Sequence, residues 1–466
     1  MSESVDSPTG FADSRDFADW YIRRHEAVVV PTTTPQFFRK VIVHGSGNGM
    51  KVRLSDGTEA IVADSDLGVT ALGYNHPKLL EFRRRNPWIF DQADSTGRHY
   101  TAQNVDAWEG KTYEEMSQAV LAEKLIGLAF PFPNGSATAR RVIFDLGGGT
   151  LVDKVVRYLL RIRPDKNFFI AFRQGFHGRY GFARDLTRSN PRQREYAPPT
   201  GIYVEHLPYP TTREAVDAAL EQLEFIPLDR VNAVFVEGVQ GEGGMVVPNA
   251  VYLRKLIVAL QNAIPGVLVV FDEIQTGLGR TGHWFSFQHH GINPDVVLIG
   301  KALGGGLPVS AAIVPAYEVP TGWHGGTFTA YPAGILQAIV VLDLIEEEDL
   351  LHNVCLGWNC LNARLGDLLR DDQLYFAPDH PRPFIRARGL GLMWGFQFRT
   401  AADAPHPQWR DAALHRLYEQ NIFTAAAGMA NINPAIRLMP ALNVDRETLE
   451  FLAGQFVSAI AETRPQ

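Results

Sequence analysis

The chain has 466 residues, 45% of them apolar and 20% charged, with a formal net charge of -7. That length supports a large core divided between two domains, and the acidic balance without a basic arm excludes a general nucleic-acid binder. No apolar run approaches the length of a membrane span, and the opening MSESVDSPTG lacks the basic and apolar regions of a signal peptide, so a cytoplasmic protein is expected.

The first forty residues are polar and mixed, with an amphipathic helix expected around Phe17 to Arg24 and a Pro-Thr-rich connector from Pro31 to Pro35. From Gly45 the text becomes GSGNGMKVRLSDGTEAIVADSDLGVTALGYNHP, where Asp56-Gly57 between alternating runs predicts a hairpin turn. Tyr113 to Leu128 carries Met116, Val120, Leu121 and Leu125 near helical spacing and reads as a core-facing helix. Next comes ARRVIFDLGGGTLVDKVVRYLLR: a strand ending at Phe144, a glycine cluster, and an amphipathic helix from Leu151. A glycine-rich turn before a helix lets backbone N–H groups face an anion without side-chain interference.

A strand at Phe168 to Phe172 is followed by RQGFHGRYGFARDLT, rich in arginine at Arg173, Arg179, Arg184 and Arg188. Ala233 to Glu237 is a further buried strand; after GVQGEGGMVVP a helix starts at Asn249, with Leu253, Leu256, Ile257 and Leu260 on one face. Val267 to Phe271 then ends abruptly on Asp272 and Glu273, and Val296 to Gly300 ends on Lys301, followed shortly by three glycines. Short apolar runs stopping on charge read as buried parallel strands whose carboxyl ends open into a site. From about Leu336 a long helix is expected, then FIRARGLGLMWGFQF, then a final helix at Arg446 to Ile460. The two cysteines, Cys355 and Cys360, stand five apart on a helical segment and the histidines show no ligand spacing, so neither a disulfide nor a metal is expected.

A carboxylate and a lysine at neighbouring strand ends form either a structural ion pair or the two poles of a pyridoxal 5'-phosphate site. In the second case Lys301 forms a Schiff base with the cofactor aldehyde, and Asp272 keeps the ring nitrogen protonated. FDEIQTGLGRTG, followed 29 positions after the aspartate by the lysine of PDVVLIGKALGGGLPVSA, resembles the signature of class III (ω-type) aminotransferases. These are fold-type I enzymes that use pyridoxal phosphate. The resemblance runs over roughly residues 45 to 460 and implies an α/β fold. Its large domain would hold a mostly parallel seven-stranded sheet flanked by helices, beside a smaller α+β domain from the N- and C-terminal segments. The implied divisions are 1–76, 77–335 and 336–466.

The resemblance also implies roles. Gly147, Gly148 and Gly149 fall where the family's loop holds the cofactor phosphate, although the usual serine has become Gly147, the usual hydroxyl or alanine Gly149, and the usual acidic residue Thr150. Phe176, in the aromatic-His-Gly element with His177 and Gly178, either stacks on the cofactor ring or is core. Glu237 and Glu242 match the two acids of a segment whose usual proline is here Gly238; Gln275 matches the side chain near the cofactor's phenolic oxygen. Glu242 and Arg437 match a gate in which the glutamate releases the arginine to a substrate carboxylate; a buried structural salt bridge is the alternative. Thr327, in HGGTFTAYPAG, matches a threonine that crosses to a neighbouring subunit's phosphate, which implies a homodimer. Tyr331 replaces a usual asparagine there and either narrows the pocket or packs. Leu67 to Tyr74 would line the entrance, with Tyr74 a substrate neighbour. The implied reaction moves an amino group from an amino acid or ω-amine to a 2-oxo acid. The departures keep open a second outcome on the same cofactor: elimination or substitution, carbon-carbon bond formation, epimerisation or decarboxylation.

Overall fold

The computed structural model describes residues 15–28, 40–87, 116–131, 139–195, 198–369 and 383–465. The expected connector from Pro31 to Pro35 lies outside them, as does Tyr113 at the start of its expected helix, which runs here as Gln118–Ala129.

Seven strands form the central sheet: β1 (Arg140–Asp145), β2 (Phe168–Phe172), β3 (Tyr203–Leu207), β4 (Val231–Glu237), β5 (Leu268–Asp272), β6 (Val296–Ile299) and β7 (Ser310–Pro315). Their order is β1-β7-β6-β5-β4-β2-β3, all parallel except β7, which is antiparallel to both its neighbours. Every residue of β4, β5, β6 and β7 is buried, because helices cover both faces. The pleat sorts successive side chains to opposite layers. Ala233 and Phe235 of β4 pack with Leu151, Val155 and Leu159 of the helix Gly148–Ile162, while Val234 and Val236 pack with Leu253, Leu256 and Leu260 of the helix Ala250–Ala263.

That second helix begins where the sequence indicated, with the Asn249 side chain accepting from Val251 and Tyr252 N–H groups. The single long helix expected from Leu336 is two helices, Pro332–Glu347 and Leu350–Leu369. The chain breaks at Asp349, which takes φ +49. The first of the pair buries thirteen consecutive residues, Ala333 to Ile345. Apolar content alone therefore gave no hint of where the helix would stop.

Two small sheets join the ends of the chain. The hairpin Lys51–Arg53 and Glu59–Val62 turns at Asp56-Gly57 as expected, and Ile422–Phe423 adds to it in parallel. Phe384–Leu390, Met393–Arg399, Ala435–Leu438 and Ala426–Ala427 form the other. The tip of the hairpin between Leu390 and Met393 docks on the loop that follows β5. Leu392 N–H donates to Arg280 O at 3.0 Å, and a Cβ at Gly391 would fall 2.5 Å from Thr281 backbone atoms. Among the described residues no helix is long and apolar enough to cross a membrane.

Gly391 has φ +58, so a side chain there meets both a left-handed backbone and a filled space. Gly391→Val is expected to destabilise by roughly 2 kcal/mol or more in urea unfolding. A change below about 0.5 kcal/mol, the level of an ordinary surface substitution, would contradict this docking.

Candidate active site

The carboxyl ends of β4, β5 and β6 lie side by side. Glu237 pairs with Asp272, and Asp272 with Leu298, in the sheet register, and Lys301 stands two residues beyond the end of β6. The backbone there is strained: Lys301 has φ +43 in a short 3-10 turn, unusual for a residue with a side chain. Burial pushes its amine down to about 8, against the raising influence of Glu242 and with the help of Arg437. A lysine with that pKa is substantially neutral near pH 8 and can act as nucleophile or base.

Asp272 is 5% exposed. One oxygen accepts from Ile274 N–H at 3.1 Å, and the other meets His177 Nδ1 at 2.7 Å. Burial by itself would lower the His177 pKa, but the bond to Asp272 and its charge raise it above the ordinary value. His177 is thus a buried support behind Asp272. Glu237 lies beside them, its Oε2 accepting from Phe176 N–H at 2.9 Å. Burial, opposed by His177 and reinforced by Asp272, pushes Glu237 up to about 8. The segment carrying Phe176 is fixed by Thr187, a residue with no sequence signal, whose Oγ1 accepts from both His177 and Gly178 N–H groups.

On the same edge, Gly147 caps the helix Gly148–Ile162 in extended conformation, and no side chain caps its N–H groups. The glycines have packing reasons. A Cβ on Gly148 would meet Ile274 Cδ1 at 2.9 Å, and one on Gly178 would meet Gly149 Cα at 3.0 Å. A Cβ on Gly149 would meet Gly178 Cα only at an ordinary 3.5 Å, so it is Gly178 that the close approach of the two backbones requires. Gly238 has an equivalent account, since the Ser286 hydroxyl occupies its Cβ position while donating to Glu273 at 2.6 Å.

Gln275 lies against Gly241 and donates to Leu67 O at 3.0 Å, which ties the N-terminal loop to the strand ends. Ser65, Asp66 and Leu67 all have positive φ there. The Tyr74 hydroxyl donates to Asp66 at 2.7 Å; burial first, then Asp66, keeps that phenol protonated. Thr327 is exposed, on a segment held to the helix Gly148–Ile162 by Lys154, whose amine reaches Thr329 Oγ1 at 3.2 Å and Asp145 at 3.1 Å. Tyr331 packs against the core, which favours the packing alternative.

Glu242 Oε1 pairs with Arg437 at 3.0 Å. Burial would raise the Glu242 pKa, but Arg437, Lys301 and Arg179 together hold it below the ordinary range. Arg437 is 1% exposed, and its Nε and one terminal nitrogen have no partner among the described residues. Asp64 is buried nearby, pushed up to about 6 by burial against the pull of Arg437. The backbone around Glu242 is held by the C-terminal strands: Gly428 N–H donates to Glu242 O at 3.0 Å, Asn433 to Gly243 O, and Arg388 to Gly244 O and Met245 O at 3.0 Å each. Of the four arginines after β2, Arg179 faces this region over Phe176; Arg173, Arg184 and Arg188 bond to His206, Asp185 and His206.

The arrangement suits pyridoxal phosphate. The uncapped N-terminus of a 15-residue helix offers N–H groups to a phosphate, and the glycines leave it room. A buried carboxylate backed by histidine and a lysine of low pKa stand beside it.

The family model for class III aminotransferases matches residues 34–460. An acetylornithine aminotransferase of Streptomyces coelicolor is 32% identical over 88% of each chain, and that of Mycolicibacterium smegmatis 34% identical over 79% of this chain and 84% of its own. In structure, a transaminase from a marine Virgibacillus superposes with a TM-score of 0.80 at 22% identity over 96% of this chain and 99% of its own. A Bacillus anthracis aminotransferase gives 0.79 at 19% identity over 97% and 100%. With the strand-end lysine and aspartate in register, the chain belongs to the class III aminotransferases, pyridoxal-phosphate-dependent transferases of fold type I.

Proposed function

We propose that Lys301, Asp272 and the Glu242–Arg437 pair carry amino-group transfer between the ω-amine of a carboxylate-bearing substrate and a 2-oxo acid. One observation carries the reading most: a buried arginine with two nitrogens unpartnered among the described residues, its third held by a single glutamate that an incoming carboxylate would replace. Relatives named acetylornithine aminotransferases, whose named substrate is an acetylated diamino acid that keeps one free amine and a carboxylate, support the same class.

Pyridoxal phosphate, when bound, supplies an aldehyde that takes the amine and a ring that accepts the electrons left as the substrate carbon loses its proton. Lys301 Nζ would hold the cofactor, and its free amine would hold or move the proton at the substrate carbon. Asp272, oriented by His177, keeps a proton on the ring nitrogen. Glu237 braces Phe176 through the backbone, and Phe176 would lie against the cofactor. Gly147, Gly148 and Gly149 present N–H groups to the phosphate. Gln275 and Tyr74 close the side toward the N-terminal loop. With Glu242 on Arg437, the site is electrically balanced for an amine; with Glu242 displaced, Arg437 takes the acceptor's carboxylate. Gly238 has a packing account, so it does not favour the non-transaminating outcome. The divisions 1–76, 77–335 and 336–466 are consistent with the small sheet shared by the chain ends. Exposed Thr327 and Phe328 suit a homodimer in which Thr327 of the partner subunit completes the phosphate site. Two free cysteines are consistent with a reducing, cytoplasmic setting.

Lys301→Ala is expected to lower kcat at least about 10³-fold with an unchanged unfolding midpoint; retained turnover would remove Lys301 from the reaction. Arg437→Ala is expected to raise KM for 2-oxoglutarate roughly tenfold or more, and an unchanged KM would leave the ion pair purely structural. Because the Lys301 amine titrates near 8, uptake of added cofactor by apoenzyme, followed by its visible absorbance, should speed up as pH rises and level off above about pH 8. A rate still climbing toward the ordinary lysine range would contradict the depressed amine. Thr327→Ala is expected to weaken cofactor retention in a dimer seen by sedimentation; a fully active monomer would overturn the interface.

A further inference from the structure

The glycine turn at the phosphate end has no side chains of its own to fix it, and the residue just before it acts as a brace. Asp145 ends β1 and is 8% exposed. Its Oδ1 accepts from Leu146 N–H at 2.7 Å, which holds the first peptide of the turn. Its Oδ2 is buried with no hydrogen bond among the described residues, and the Lys154 amine 3.1 Å away is what compensates its charge. A carboxylate taken out of water beside one cation keeps that cation in place, because separating the two leaves a buried charge uncompensated.

Lys154 extends the brace into a clamp. Its amine also donates to Thr329 Oγ1 at 3.2 Å. Thr329 closes a tight turn on Gly326: its N–H and its hydroxyl both donate to Gly326 O, at 3.1 and 2.8 Å. Thr327 and Phe328 are the two central residues of that turn, and both are exposed. A Cβ on Gly326 would fall 2.9 Å from Thr329 Oγ1, so glycine is what lets the hydroxyl fold over the turn. Lys154 therefore grips the base of the turn whose tip is Thr327. One helical turn further on, Arg157 lies over the Trp323 ring at 4.9 Å, and Tyr158 meets its edge with ring centres 6.5 Å apart. Positions 154, 157 and 158 share one helix face. The segment from Trp323 to Thr329 thus rides on the helix whose N-terminus faces the phosphate.

We propose that Lys154 is a positioning residue for the cofactor's phosphate, acting through Thr327 and held in place by Asp145. This rests on the reading above in which Thr327 completes the partner subunit's phosphate site. The lysine touches neither substrate nor cofactor; it fixes the turn that presents the threonine. One buried carboxylate thereby relates the glycine turn of its own chain to the tip offered to the neighbour.

The test follows loss of pyridoxal phosphate from dialysed holoenzyme, read by its visible absorbance, in a cycle of Lys154→Ala, Thr327→Ala and the double variant. Each single variant should lose cofactor roughly tenfold faster, and Lys154→Arg should recover most of the native retention. The double variant should be little worse than Thr327→Ala alone, whereas a merely structural lysine would give effects that add. Thr329→Val, which removes the hydroxyl that Lys154 holds, should reproduce Lys154→Ala and takes its place in the cycle if that variant does not fold. Native retention in Lys154→Ala beside rapid loss in Thr327→Ala, or full additivity in the cycle, overturns the clamp and leaves the crossing threonine standing. Native retention in Thr327→Ala overturns the crossing threonine and the clamp together.

Discussion

Charge taken out of water at one edge of a parallel sheet governs this molecule. Asp272 and Glu237 end adjacent strands, fully enclosed, and two carboxylates in that position cannot both be comfortable as anions. The fold resolves the conflict unequally. Asp272 has His177 at 2.7 Å, a partner whose own pKa is raised by the contact, whereas Glu237 is pushed up to about 8. One acid has a buried imidazole for a partner, and its neighbour is allowed to take a proton. The same lack of water brings the Lys301 amine down to where it can react.

The gate extends this logic across the small sheet. Four consecutive carbonyls, Glu242 to Met245, accept hydrogen bonds from Gly428, Asn433 and Arg388, so the backbone that carries the glutamate is bound to the strands that carry Arg437. The pair can then separate through side-chain rotation without one chain segment sliding past the other. Met245, at φ +56, is held by Arg388 in a conformation it would not choose alone.

The residues legible in sequence were those where a local pattern stops on a charge. Val267 to Phe271 halting at Asp272, and Val296 to Gly300 halting at Lys301, announce buried strands opening into a site, and β5 and β6 are there within one residue. The glycine turn was legible as well, although the helix begins three residues before the first apolar residue of its stripe. What stayed hidden depends on partners far along the chain. Thr187, Asp64 and Arg410 look like ordinary polar residues, and only the folded arrangement shows them buried. His177 was visible as a neighbour of Phe176 but not as the support of an aspartate 95 positions away. The break at Asp349 was invisible because the helix before it is apolar on every side.

The pairing of Ile422–Phe423 with Glu59–Val62 has a consequence for how the enzyme comes into being. The N-terminal hairpin leaves the ribosome early, but its third strand is made some 360 residues later, as are Met439, whose N–H and carbonyl bond to Ala63 and Ser65, and Leu442, which bonds to Ala71. The large sheet can close while synthesis continues; the loop that carries Leu67 and Tyr74 cannot settle until the chain is nearly finished. For most of translation the nascent protein holds its lysine and aspartate in a half-built mouth. Competence for the reaction arrives late and all at once, with the last tenth of the chain.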